Sequence, residues 1–317
     1  MAPPDPEPAS SVWTWSEEPL LGTRVAVRIS GSDEAAAAAL ADEIFAECDR
    51  LERVFSVFDE TSALRRWCRG ELDDDAAPPE LHEVLVAARS WEQRSGGAFS
   101  TGSAPLSELW RQAERDGRPP STNVIDETLT ALRHPAYDAV GGRARRLRTP
   151  CRVDLNAIAK GYIVDCAAAR WDRSSGAASG VHALVVNAGG DLLHRGRGTV
   201  PVGIEDPERR HDNGAPLTTI TLGDAALATS GPTRRGFRVG GRWFGHVLDP
   251  RTGRPTDGVR SASVLAPDAM TADAVATVVS VLPPPDALAF VEDLDGVAAL
   301  AVEDTGRWWR SSRWPGA

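Results

Sequence analysis

The chain has 317 residues, enough to bury one large core, and carries 45 acidic against 35 basic side chains, a formal net charge of −10. That balance, with no contiguous basic block to offset it, excludes non-specific nucleic-acid binding, and no apolar run reaches the length of a membrane span. Its four cysteines, Cys48, Cys68, Cys151 and Cys166, lack zinc-ligand spacing and read as reduced thiols.

Residues 1–12, rich in proline and acidic side chains, read as a disordered leader. They show no basic segment, apolar segment or lipobox cysteine, so a cytoplasmic location is the expectation. Residues 13–317 are expected to form one α+β domain of largely antiparallel sheets with packed helices. Its opening strand is LLGTRVAVRIS, followed by a long helix over DEAAAAALADEIFAECDRLERVF with Leu40, Ile44, Leu51 and Phe55 on one face. A second helix, PELHEVLVAARSWEQRSGG, ends at a glycine pair, and FSTGSAPLSELWRQAERDG gives a loop and a short helix. GRARRLRTPCRVDL reads as a hairpin whose last strand hands over, at Asp154, to a helix from Ala157 through Tyr162 and Asp165.

Strands follow at HALVVNAGG and TVPVGIED, with two more in LTTITLGDAALATSG. RRGFRVGGRWFGHVLDP is a hairpin turning at Gly240 and Gly241, GVRSASVLAPDAM a further strand, ADAVAT a helix and GVAALAVEDTGRWWR the closing strands.

Several segments carry chemistry. In DLNAIAKGYIVD, a carboxylate at a helix start meets free backbone N–H groups, and the small Asn156 and Ala157 admit a ligand; alternatively Asp154 is only a cap and Lys160 only a solvated cation. In MTADAVATVV, Asp273 and Thr277 stand four apart on one helical face, a hard-cation arrangement, unless Thr277 merely bonds back to the Asp273 carbonyl. NAGGD supplies Asn187, Gly189, Gly190 and Asp191 after an apolar strand, and ATSG supplies Thr229, Ser230 and Gly231. Each is either a turn or a place where backbone closely approaches a ligand. In GHVLDPRTGRP, His246 is a candidate proton acceptor or a structural histidine, while Asp249 and Arg251 suit the turn.

In this order and at these spacings the motifs resemble the ApbE family of FAD:protein FMN transferases, whose usual patterns read DLGAIAKGYAVD, NAGGD, TSG, HIIDPRTG and ADALST. The resemblance spans about residue 20 to 300. It implies a single domain of the kind sometimes called a T-fold, and an Mg²⁺-dependent enzyme that moves FMN from FAD to a Thr or Ser hydroxyl of an acceptor flavoprotein, releasing AMP. The acceptor would carry a Ser-Gly-Ala-Thr type motif. An Mg²⁺-dependent FAD pyrophosphatase and a non-catalytic flavin-binding protein are the alternatives.

The resemblance assigns the metal to Asp273, Thr277 and the backbone oxygen of Ala157, and catalysis to His246 and Asp154. It assigns flavin-nucleotide contacts to Leu21, Phe58, Asp154, Lys160, Asn187, Gly189, Gly190, Asp191, Thr229, Ser230, Gly231, His246 and Asp249. Departures are Leu21 where Met is common, Phe58 for the usual aromatic, Trp67 for Asn, and Ser100 and Gly102 where Asp and Thr are frequent. Members are often exported lipoproteins, which the leader here does not match. DRSSGAA, Asp172 to Ala178, is similar to the acceptor signature but ends in Ala178, so it lacks the hydroxyl that self-modification needs.

Overall fold

The computed structural model describes residues 11–173, 180–208, 215–231 and 236–315. In chain order a hairpin of β1 (Ser11–Leu20) and β2 (Thr23–Gly31) leads into α1 (Glu34–Phe55), α2 (Ala63–Arg69), α3 (Pro79–Arg94), α4 (Ala104–Asp116) and α5 (Thr122–Leu132). A small hairpin, β3 (Tyr137–Val140) and β4 (Arg143–Arg146), precedes α6 (Ala159–Arg173). Then come β5 (Val181–Ala188), β6 (Asp191–Gly196), β7 (Val200–Ile204), β8 (Thr218–Leu222) and β9 (Ala225–Ser230). Two further hairpins follow, β10 (Gly236–Val239) with β11 (Arg242–Gly245), and β12 (Leu248–Asp249) with β13 (Arg254–Pro255). The described chain closes with β14 (Val259–Ala266), α7 (Ala269–Val281), α8 (Pro284–Glu292), β15 (Ala298–Glu303) and β16 (Trp308–Arg310).

Eight strands form the central sheet, in the order β1-β2-β5-β6-β9-β14-β15-β16, every neighbouring pair antiparallel. The antiparallel α+β architecture expected from the sequence is the one observed. Helices α1, α6 and α7 cover one face, and their buried side chains join Val25, Val27, Ala226, Ala228, Ala299 and Ala301 in the main core. Because strand side chains alternate, Leu227, Leu300 and Val302 point the other way, into a second core closed by Ile204 and Ile220 of the β7–β8 hairpin and by Trp314. A third cluster packs Leu106 and Trp110 of α4 against Phe237, Val239 and Leu248, and the Trp110 indole donates to the Gly253 carbonyl at 2.9 Å.

The N-terminal boundary moves. Ser11 and Val12 pair with Gly31 and Ser30, so β1 begins inside the stretch read as leader, and residues 1–10 lie outside the described set. The β1–β2 connection is a two-residue turn with positive φ at Leu21 (55°) and Gly22 (66°), as tight hairpins require.

CRVDL is not a strand. Its residues alternate buried and exposed as a strand would, but its amides bond to scattered acceptors, Cys151 to the Cys68 carbonyl and Asp154 to the Thr101 carbonyl, both within 2.9 Å. The hairpin expected there lies earlier, with Arg143–Arg146 as its second strand, and α6 starts at Ala159 instead of Ala157. Helices α2, α5 and α8 had no sequence expectation. Among the described residues no helix is long and apolar enough to cross a membrane.

Helices α6 and α7 cross in close contact at Gly161. A Cβ there would stand 2.2 Å from the Ala269 carbonyl oxygen and 2.8 Å from the Met270 Cα. Alanine at a helical position gains about 1 kcal/mol over glycine in propensity, but here backbone meets backbone and nothing flexible can yield. Gly161→Ala is therefore expected to lower stability by about 1–3 kcal/mol net, read as a drop in urea midpoint at unchanged slope. A variant as stable as the parent would mean the helices are free to separate.

Candidate active site

Helix α7 is seated by two carboxylates. Asp268 caps it, its oxygens taking the Thr271 amide at 2.7 Å and the Thr271 hydroxyl at 3.0 Å. Asp165, one turn beyond Gly161 on α6, accepts the amides of Ala269 and Met270, each at 2.8 Å. These are free N–H groups of the helix start, so the bonds are charge-assisted. Burial nonetheless pushes the Asp165 carboxyl up to about 6, with the two amides opposing and Asp268 adding to the rise.

That crossing brings α7's Asp273 against the first turn of α6. The Gly161 amide donates to Asp273 Oδ2 at 3.2 Å. Among the described residues, no amide closes on the Ala157 carbonyl, four residues before Gly161, whereas Tyr162 does bond the carbonyl of Ile158. Ala157 thus keeps a carbonyl oxygen without a backbone donor beside a buried carboxylate. Thr277, one turn along α7, makes no bond back to the Asp273 carbonyl, although Ser280 in the same helix bonds Ala276 at 2.9 Å. The structural alternative for Thr277 is therefore not the arrangement found.

Asp191 opens β6 and is buried; its Oδ2 lies 3.0 Å from Lys160 Nζ, without a hydrogen bond of good direction. Lys160 is thus no solvated cation. Burial raises the Asp191 carboxyl and Lys160 opposes the rise. Asp273 is pushed well above the usual carboxylate range, first by burial and next by the charge of Asp191, while Lys160 and the Gly161 amide pull the other way. Two buried carboxylates thus face one ammonium, and burial disfavours ionising both at once.

Among the described residues no three His, Cys, Asp or Glu side chains group to hold a metal. A cation here would draw on Asp273, the Thr277 hydroxyl and the Ala157 carbonyl. That mixed oxygen set fits Mg²⁺, which keeps waters and shares itself with substrate phosphates.

The Gly189–Gly190 turn that precedes Asp191 lines a cleft of about 260 Å³. Gly189 and Gly190 of the β5–β6 turn form one wall, Thr229, Ser230 and Gly231 at the end of β9 another, and Arg260 and Ser261 of β14 a third. The two glycine motifs, about 40 residues apart in the chain, therefore meet. Asn187 serves the turn, its Oδ1 taking the Gly190 amide at 3.2 Å, and Thr229 Oγ1 lies 2.9 Å from the buried Ser263 hydroxyl. Gly189 has φ 61°, and a Cβ there would come within 2.6 Å of Thr23 Oγ1, so the Leu21–Gly22 hairpin end packs against this turn.

Other expected residues do not line the cleft. Phe58 is 86% exposed, on a loop where the Ser56 hydroxyl takes the amides of Phe58 and Asp59. Asp249 accepts from Arg251 at both oxygens, at 2.8 to 2.9 Å, and holds its turn. His246 is exposed in the bend after β11. Asp154 does not cap α6: its Oδ1 accepts the Asn156 amide at 2.9 Å in a local turn, and burial raises its carboxyl. Trp67 is fully buried in the core, its indole donating to Asp74 at 2.8 Å. The acceptor-like segment's Ser174 to Ala178 lie outside the described residues. Asp165, Arg260 and Ser261 were not anticipated; only Asp165 lay inside a recognised motif.

The sequence profile described as the ApbE family matches residues 21–301. The FAD:protein FMN transferase of Klebsiella pneumoniae (strain 342) is 28% identical, covering 96% of this chain and 89% of its own. That of Rhodobacter capsulatus is 32% identical over 76% of this chain and 47% of its own. Among solved structures, the ApbE protein of Thermotoga maritima msb8 superposes with a TM-score of 0.77 at 29% identity, covering 95% of this chain and 97% of its own. The apo form of the Pseudomonas stutzeri flavinyl transferase ApbE gives 0.76 at 25% identity, over 96% and 95%.

Replacing Lys160 by Met would keep the apolar stem and remove the shared charge. Because Lys160 is 30% exposed, the expected loss is about 1–3 kcal/mol, below the figure for a fully buried pair. Adding Asp191→Asn in that background should restore most of it, and urea unfolding of the four proteins in the cycle measures the coupling. Simple additivity would show that Lys160 and Asp191 do not act on one another.

Proposed function

We propose that this chain, which belongs to the ApbE family, is an Mg²⁺-dependent FAD:protein FMN transferase that moves FMN from FAD onto a Ser or Thr hydroxyl of an acceptor protein, releasing AMP. The observation that carries this reading is the buried Asp191–Lys160–Asp273 cluster, whose Asp191 directly follows in the chain the Gly189–Gly190 wall of a cleft formed by two glycine motifs. A cation bound in such a cluster would favour the ionised carboxylates that burial opposes, and the cleft offers backbone N–H and hydroxyl groups to phosphate.

In the proposed reaction the acceptor hydroxyl oxygen attacks the FMN-side phosphorus, and the bond to the bridging oxygen breaks. AMP departs with that oxygen, and the hydroxyl proton passes to His246 or a nearby carboxylate. Asp273, Thr277 and the Ala157 carbonyl would hold Mg²⁺, which when bound neutralises the diphosphate and the charge that develops on it. Lys160 opposes the rise that burial imposes on the two carboxyls. Gly189, Gly190, Thr229, Ser230 and Gly231 orient the diphosphate, and Asp154 supports the nucleotide or the metal surroundings. The acceptor would present a Ser-Gly-Ala-Thr type segment. FAD hydrolysis to FMN and AMP is the second reading, favoured by one observation: Phe58, which would help shield the phosphorus from water, is exposed.

Incubation with FAD and Mg²⁺, with and without a protein bearing that acceptor segment, tests these readings. The expected products are AMP and flavinylated acceptor, with EDTA or Asp273→Ala abolishing both. AMP with free FMN alone would support the hydrolase, and no AMP would leave only a flavin-binding protein. In the same assay His246→Ala should slow transfer by roughly a hundredfold while FAD affinity holds. Parallel losses of rate and affinity would make His246 a binding residue.

A further inference from the structure

Among the described residues lining the cleft, Arg260 is the one cation and Glu205 the one carboxylate. The backbone fixes where Arg260 stands. A Cβ on Gly231 would lie 2.3 Å from the Arg260 carbonyl oxygen, so the end of β9 and the start of β14 run flush and hold the Arg260 backbone at the wall. Its side chain, 35% exposed, pairs with Glu208, itself 53% exposed and outside the lining, on the segment that follows β7.

We propose that Arg260 selects the diphosphate of the dinucleotide and that Glu208 is its resting partner, displaced when the nucleotide binds. This deepens the transferase reading and rests on it. An ion pair this open contributes little, whereas a guanidinium meeting a phosphate makes two charge-assisted bonds, each stronger than a neutral one. The exchange therefore runs toward the ligand. The backbone amides and hydroxyls of the two glycine motifs take the remaining phosphate oxygens, and Glu205 keeps the anion on the Arg260 side.

The test is competition of ADP and of riboflavin against FAD, by flavin fluorescence, in the parent and in Arg260→Gln, Arg260→Lys and Glu208→Gln. Arg260→Gln should weaken ADP by tenfold or more and leave riboflavin unchanged, which also shows that the pocket is folded. Arg260→Lys, retaining the charge without the planar fork, should fall between. Glu208→Gln removes the resting competitor and should tighten ADP by a few-fold, an effect opposite to that of a merely structural ion pair. ADP affinity unchanged in Arg260→Gln, or weakened equally in Glu208→Gln, overturns the proposal. If ADP fails to compete in a parent that still cleaves FAD, the proposal falls and the transferase reading stands; if the parent binds neither, both fall.

Discussion

A single backbone amide, that of Gly161, organises the centre of this protein. By donating to Asp273 it ties the first turn of α6 to α7 and leaves the Ala157 carbonyl without its helical donor. It can do so only because the helices touch where Gly161 has no side chain. Asp165 then secures the same crossing from the other side by taking the first amides of α7. The helices in turn cover β6, β9 and β14, and residues at the ends of these strands line the cleft.

The electrostatics at that crossing run against stability. Burying a carboxylate is costly unless it is paired, and here two of them divide the charge of one partly exposed lysine. Such an arrangement is explicable if part of the compensation comes from what binds, a charge held ready in place of one neutralised in advance. Arg260 obeys the same logic with the opposite sign: a cation at a cleft wall whose resting partner is exposed and weakly held.

How far the sequence foretold this depends on what each feature rests on. Strand alternation, the α1 face and the glycine turns are local, and β5, β9, the Gly240–Gly241 hairpin and α1 fall where periodicity and turn residues put them. The WTWSEEP run received no strand expectation because its polar, acidic outer face hides the alternation, yet Trp13 and Trp15 pack against the core. CRVDL has strand-like burial, but strandhood depends on a ladder partner that no local pattern reveals. The meeting of NAGGD with TSG, and of Lys160 with Asp191, follows from sheet order and the placement of α6, so it came only through the resemblance. Arg260 belongs to no recognised motif and became visible only when β14 was placed next to β9.

The account turns on Asp273 being a buried charge kept for a cation. Asparagine there would retain an oxygen for the Gly161 amide while removing the charge. Thermal unfolding of the parent and of Asp273→Asn, each in EDTA and in excess Mg²⁺, measures this directly. The account predicts that the variant unfolds no lower than the parent in EDTA, and that Mg²⁺ raises the parent by about 2–5 °C and leaves the variant unmoved. A variant clearly less stable than the parent in EDTA, or an equal Mg²⁺ shift in both, would contradict it.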